Sequence, residues 1–86
     1  MYEDREPRVG LPVVFIQGSD EGPMTKHNLR RHPALIAAVG VLNHVDLVYF
    51  PFGTDGYYSR VSVPKWMPGL SKYACSWAWL DEKVDG

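Results

Sequence analysis

Hydrophobic positions along the chain fall into short clusters separated by turn-forming residues. The first cluster, Pro12-Val13-Val14-Phe15-Ile16-Gln17, is apolar and β-branched and is bounded by Pro12 and by Gly18-Ser19, a pattern that predicts a strand. Its apolar residues are consecutive, not alternating, which predicts burial on both faces or one face given to a partner. Ala34-Leu35-Ile36-Ala37-Ala38-Val39 is rich in helix-favouring alanine, but six residues are few for a helix, and Pro33 and Gly40 bracket them. A strand is the better reading, followed by a turn over residues 41–44. Val45-Asp46-Leu47-Val48-Tyr49-Phe50 is the clearest strand, with Val45, Leu47 and Tyr49 on one face. The turn chemistry of residues 51–56 ends in Asp55-Gly56 and leads into a strand from Tyr57 to Val63, so residues 45–63 read as a hairpin. Period-two alternation places Tyr57, Ser59, Val61 and Val63 on a common face. Ser76-Trp77-Ala78-Trp79-Leu80 is the last short strand, with Trp77 and Trp79 pointing the same way into the core.

The intervals between these clusters are polar or broken. Residues 18–33 read as a long connection, and residues 64–75 hold Pro64, Pro68 and Gly69, which exclude a regular element. The predicted organisation is a flexible arm over residues 1–11, one β-rich domain over 12–82 and a polar tail over 83–86. Five short strands at this spacing predict a small five-stranded barrel or a curved antiparallel sheet, in an all-β class.

A chain of 86 residues has room for one core, and a domain of that size buries only about 60–65% of its unfolded surface. Five Tyr, three Trp and three Phe are more rings than such a core readily hides, so either the core is aromatic-heavy or some of the rings form an interface. The formal net charge of -1 argues against general nucleic-acid binding, which needs a positive excess to release counterions. Cys75 stands alone, so no internal disulfide forms and a reducing cytoplasm is the expected setting. No apolar run approaches the roughly 20 residues that span a bilayer, and the charged start lacks a signal region.

Candidate chemistry is sparse. His27, His32, His44 and Cys75 could ligate a soft metal, but their spacing matches no metal-binding motif, and no cofactor is expected. Ser19 and Ser71 lack the Gly-x-Ser-x-Gly elbow, and the pairs Asp20-Glu21 and Asp81-Glu82 lie in polar segments that would not raise a carboxyl pKa. The reading is therefore of a protein that is not an enzyme. Two sets of residues are candidates for binding. Lys26, His27, Arg30 and Arg31 lie in a basic stretch suited to phosphate oxygens or to a partner's carboxylates. Phe52, Tyr58, Trp66 and Tyr73 lie in or beside loops and could line a groove or a subunit contact.

Five segments carry a family resemblance: Arg31-His32-Pro33-Ala34-Leu35-Ile36, Val45 to Phe50, Gly53-Thr54-Asp55-Gly56, Ser62-Val63-Pro64 and Ser76-Trp77-Ala78-Trp79. In order and spacing over residues 31–82 they resemble a family of small proteins encoded by tailed bacteriophages of actinobacteria. That family more often closes on Trp-His-Trp-Pro, where this chain has Ala78 and Leu80, so any role of that histidine is absent here. The resemblance implies an SH3-like β fold and a phage origin, and no activity. A fainter likeness, in Phe15-Ile16-Gln17-Gly18-Ser19 and Ser76-Trp77, is to the phage anti-Thoeris sponge proteins that sequester signalling nucleotides. This chain lacks their opening helix and has Ser76 in place of their acidic residue.

The resulting expectation is a phage-encoded interaction protein in the cytoplasm of the infected cell. It would bind and block a bacterial host protein, such as a defence component. A nucleotide-sequestering sponge and a minor virion component are the alternatives, and a homo-oligomer is compatible with all three.

Overall fold

A computed structural model describes residues 5–18, 31–51, 56–70 and 74–84. They form five strands in one antiparallel sheet: β1 (Pro12–Ile16), β2 (Arg31–Val39), β3 (Val45–Tyr49), β4 (Tyr58–Val63) and β5 (Ser76–Ala78). The spatial order is β4-β3-β2-β1-β5. The first four strands are a meander, and β5 returns to pair with the outer edge of β1 through Val14↔Ala78, Phe15↔Trp77 and Ile16↔Ser76. The sheet curls into a half-barrel. Its two edges are stitched where the chain leaves β4: Trp77 N–H donates to Pro64 O at 3.0 Å and Trp66 N–H to Trp77 O at 2.8 Å, a parallel bridge between Lys65 and Trp77. The all-β reading of the sequence thus holds, and among the described residues no helix is long and apolar enough to cross a membrane.

The core lies in the concavity of the sheet. Val13 and Phe15 of β1, Ala34 and Ile36 of β2, Val45 and Leu47 of β3, Val63 of β4 and the pair Trp77 and Trp79 are buried. Trp77 and Trp79 meet edge to face at 4.9 Å. Strand β1 buries one face only, since Val14 and Ile16 are half-exposed.

Two register shifts interrupt the pairing, and the second changes a predicted face. In β2 the pairing with β3 slips between Ile36 and Ala38. In β4 it slips opposite Asp46, where Ser62 takes a left-handed φ of 54° and donates its N–H to Asp46 Oδ1 at 2.9 Å. The extra residue turns the strand over, so Val63 is buried while Val61 is 73% exposed. The common face expected for Val61 and Val63 is therefore corrected by this bulge.

The sequence also placed the start of β2 too late. Arg31 and His32 are strand residues paired with Ile16 and Phe15, not part of a solvated loop. Pro33 in a strand with neighbours on both sides breaks the usual rule that Pro keeps to edges, which is why the boundary was missed. His32 is buried against Phe15 and Tyr49, with Nε2 2.9 Å from Gln17 Oε1 and Nδ1 without a partner. Burial lowers the pKa of this imidazole below its ordinary 6.5. The unfolded chain then takes up a proton that the folded chain resists. Stability should be full above pH 6.5 and should fall as pH drops from there toward the folded-state pKa. Urea unfolding at pH 7.5 and 5.5 checks this: the loss should shrink in His32→Phe, and an equal loss in both chains would assign it to other groups.

Candidate functional site

The pairings divide the sheet into two ends. One carries Ile16, Arg31, Tyr49, Tyr58 and Ser76; the other carries Pro12, Val39, Val45, Val63 and Ala78. A cavity of about 500 Å³ opens at the second end, within the size range of ligand pockets.

Four pieces of chain build it. The turn joining β2 to β3 supplies one wall. There Gly40 N–H donates to His44 O at 2.7 Å and His44 N–H to Val41 O at 3.0 Å. Closing it puts Leu42 and Asn43 in the left-handed region, with φ of 54° and 60°. Asn tolerates this conformation and for Leu it is costly, so Leu42 is a strained position. The twist turns Val41 and Leu42 outward, 80% and 85% exposed, and points Asn43 O inward, where it accepts the Trp77 Nε1–H at 2.9 Å. His44 Nδ1 faces the carbonyls of Val41 and Leu42 at 3.2 and 3.3 Å, and since a carbonyl only accepts, Nδ1 is the donor.

The segment after β4 supplies the opposite wall, with Pro64, Lys65 and a half-exposed Met67. Trp77 and Trp79 close the inner end. The turn after β5, in which Glu82 N–H donates to Trp79 O at 3.1 Å, brings Glu82 back to the site. Its Oε1 accepts from Lys65 Nζ at 2.6 Å and from Trp79 N–H at 3.1 Å, and both charged side chains are more than four-fifths buried. Lys65 Nζ also donates to Trp66 O at 3.0 Å and lies 5.4 Å from the Trp77 ring. The last piece is the arm. Gly10 N–H and Leu11 O bond to Ile36, Pro7 is buried, and Arg5 lies over Trp79 with its Cζ 4.6 Å from the ring centroid. Arg5 Nη2 donates to Asp81 Oδ1 at 2.8 Å, and this bond holds the Asp81 carboxyl below its ordinary pKa.

The site is thus an aromatic-floored hollow with an apolar rim and internally paired charges. Such a hollow can desolvate an inserted side chain. Among the described residues no group of three or more His, Cys, Asp or Glu could hold a metal ion.

Of the residues singled out from sequence, Trp66 is near this site, half-buried beside Lys65. Arg31 and Tyr58 are at the other end of the sheet. Arg31 Nη2 donates to Val84 O at 2.7 Å, and Tyr58, 52% exposed, stacks 5.8 Å from Tyr49. Tyr49 is itself half-buried, and burial followed by the neighbouring Tyr58 and Cys75 raises its phenol pKa. Lys26, His27, Arg30, Phe52 and Tyr73 lie outside the described residues. The expectation that the core cannot hide every ring is met: Phe15, Trp77 and Trp79 are buried, but Phe50, Tyr57 and Tyr58 are exposed. Sequence reasoning missed Arg5, Leu42, Lys65 and Met67, and it weighed His44 only as a metal ligand and Glu82 only as one of a carboxylate pair in a polar segment, whereas Glu82 is more than four-fifths buried. The one available signal was the Asn43 in the turn, which marks a left-handed position.

No protein-family model, curated protein or solved structure matches the chain.

Proposed function

We propose that the chain is a non-enzymatic interaction protein, phage-encoded as its motif resemblance implies, that binds and blocks a bacterial host protein in the infected cell. The observation that carries the reading is the cavity floored by Trp77 and Trp79 with Leu42 and Met67 exposed at its mouth. Hot spots of protein interfaces are desolvated pockets of this kind, ringed by apolar contacts that exclude water. Leu42 adds a second line of support. A bulky residue held at positive φ and 85% exposed contributes strain and no core, so its side chain is better explained by a partner than by folding.

That conflict supplies the test. Leu42→Gly should relieve strain and raise stability by up to ~1 kcal/mol. Combined with Met67→Ala it should remove the rim and weaken partner binding at least tenfold. The measurement is retention of host proteins from lysate on the immobilised wild-type and double-variant chains, with melting curves alongside. Retention of one protein by wild type and its loss from the well-folded variant is the expected result. Equal retention by both, or none by wild type, would overturn the reading. A nucleotide-sequestering role draws on the basic stretch, of which Arg31 is engaged with Val84 O at the other end of the sheet. A virion component remains the third proposal, decided by mass spectrometry of purified particles.

A further inference from the structure

Arg5 separates two hollows. Besides the cavity of about 500 Å³, a second of about 410 Å³ lies on the other side of the arm, lined by Leu11, Pro12, Leu80 and Asp81. Among the described residues the two share Arg5 and Trp79 and no other lining residue. Without the Arg5 side chain they would join into one trough across the face of Trp79, walled by Asp81 on one side and Glu82 on the other.

The contacts of Arg5 describe what that trough recognises. The Arg5 guanidinium sits over the Trp79 indole, its Cζ 4.6 Å from the ring centroid, while donating to the Asp81 carboxylate at 2.8 Å. A planar, delocalised cation with forked donors satisfies both demands at once, whereas an ammonium is a compact, strongly hydrated charge that satisfies them poorly. The Arg5 and Asp81 side chains are 40% and 72% exposed. An ion pair so exposed contributes little net free energy, so its cation is exchangeable. Arg5 also belongs to the segment that precedes β1, joined to the sheet at Gly10 and Leu11, so it can leave the trough without unpairing a strand.

We propose that Trp79 and Asp81 form an arginine-binding site, occupied in cis by Arg5 of the arm and taken in trans by an arginine from a basic segment of a partner protein. The partner's main chain would cross the trough with its flanking residues in the two hollows. Arg5 is then an internal competitor that lowers apparent affinity until it is displaced. This rests on the proposal that the cavity docks a partner, and it specifies that partner's chemistry.

The test uses the full chain and two blocked tripeptides, acetyl-Gly-Arg-Gly-amide and acetyl-Gly-Lys-Gly-amide, followed by the indole N–H resonances of Trp77 and Trp79. In Arg5→Ala the arginine peptide should bind about two- to sixfold more tightly than in wild type, the relief expected from removing a weakly held competitor, and more tightly than the lysine peptide. Adding Asp81→Asn should remove most of that gain. Arg5→Gln, which keeps the aliphatic stem, serves if Arg5→Ala is poorly folded. Equal binding by wild type and both variants overturns the proposal. So does sedimentation showing a wild-type dimer that becomes monomeric in Arg5→Ala, which would make a second copy's arm the occupant. If the rim variant loses the host protein but Arg5→Ala gains no arginine affinity, only the arginine assignment falls. If the rim variant keeps the host protein, the docking reading falls instead.

Discussion

Trp77→Ala is expected to cost about 3–5 kcal/mol, the range for removing a buried indole. A chain of 86 residues has roughly 4–13 kcal/mol of total stability, so this one change removes a large part or all of it. The reason is position as much as volume. Trp77 is fully buried, its Nε1–H satisfies Asn43 O, its ring meets Trp79, and its main chain makes both hydrogen bonds that tie the end of β4 to β5. Truncation would leave a cavity against Phe15 and an unpaired carbonyl in the β2–β3 turn. Thermal melting followed by circular dichroism should show a midpoint lowered by roughly 12–40 °C, or no cooperative transition. Trp77→Phe separates the two contributions: it keeps most of the bulk, loses the donor to Asn43, and should cost about 1–3 kcal/mol. A midpoint for Trp77→Ala within a few degrees of wild type would mean that the edges are held together by something other than this residue.

The Lys65–Glu82 pair should produce the next largest effect. Both side chains are more than four-fifths buried, so removing one partner strands the other's charge in a poorly hydrated place. Glu82→Ala would leave Lys65 Nζ with Trp66 O as its one acceptor among the described residues and would free the Trp79 N–H. The expected cost is about 2–4 kcal/mol, somewhat below that of breaking a fully buried pair. Replacing both partners by apolar residues of similar size, Lys65→Met with Glu82→Leu, should recover much of it, since neither charge is then desolvated. Urea unfolding of the wild type, Lys65→Met, Glu82→Leu and the double variant gives the coupling directly. Additive effects, with no recovery in the double variant, would show that the pair is no more than two independent surface charges.

Much of the sheet was legible in the sequence because its strands are written in local patterns. Val45, Leu47 and Tyr49 alternate as a half-buried strand must, and β3 follows them. The closing Trp-x-Trp put both indoles on one face, and both are buried. The failures were local conflicts. Pro33 hid the first residues of β2, and a single left-handed residue at Ser62 reversed the face of Val61 relative to Val63. A bulge of this kind leaves no period-two signature, because it is set by the pairing with Asp46 on the next strand.

The candidate site was not legible for a different reason. Its parts come from an arm, a five-residue turn, a bridge after β4 and a turn after β5, and the contact that divides its two hollows joins residues 76 positions apart. From sequence alone, charge and aromaticity could be noticed only where they cluster along the chain, and that directed attention to residues 26–31 and to the loop rings.

By itself, the order of apolar and turn-forming residues determined the all-β class, the approximate strands and the surplus of rings over core. The tertiary structure decided the strand order, the stitching of the two edges at Trp77, and the meeting of Arg5 with Trp79 and Asp81. The division follows from range: hydrophobic periodicity acts between residues two apart, whereas sheet order and site assembly depend on which distant segments bury apolar surface together, and no local pattern encodes that choice.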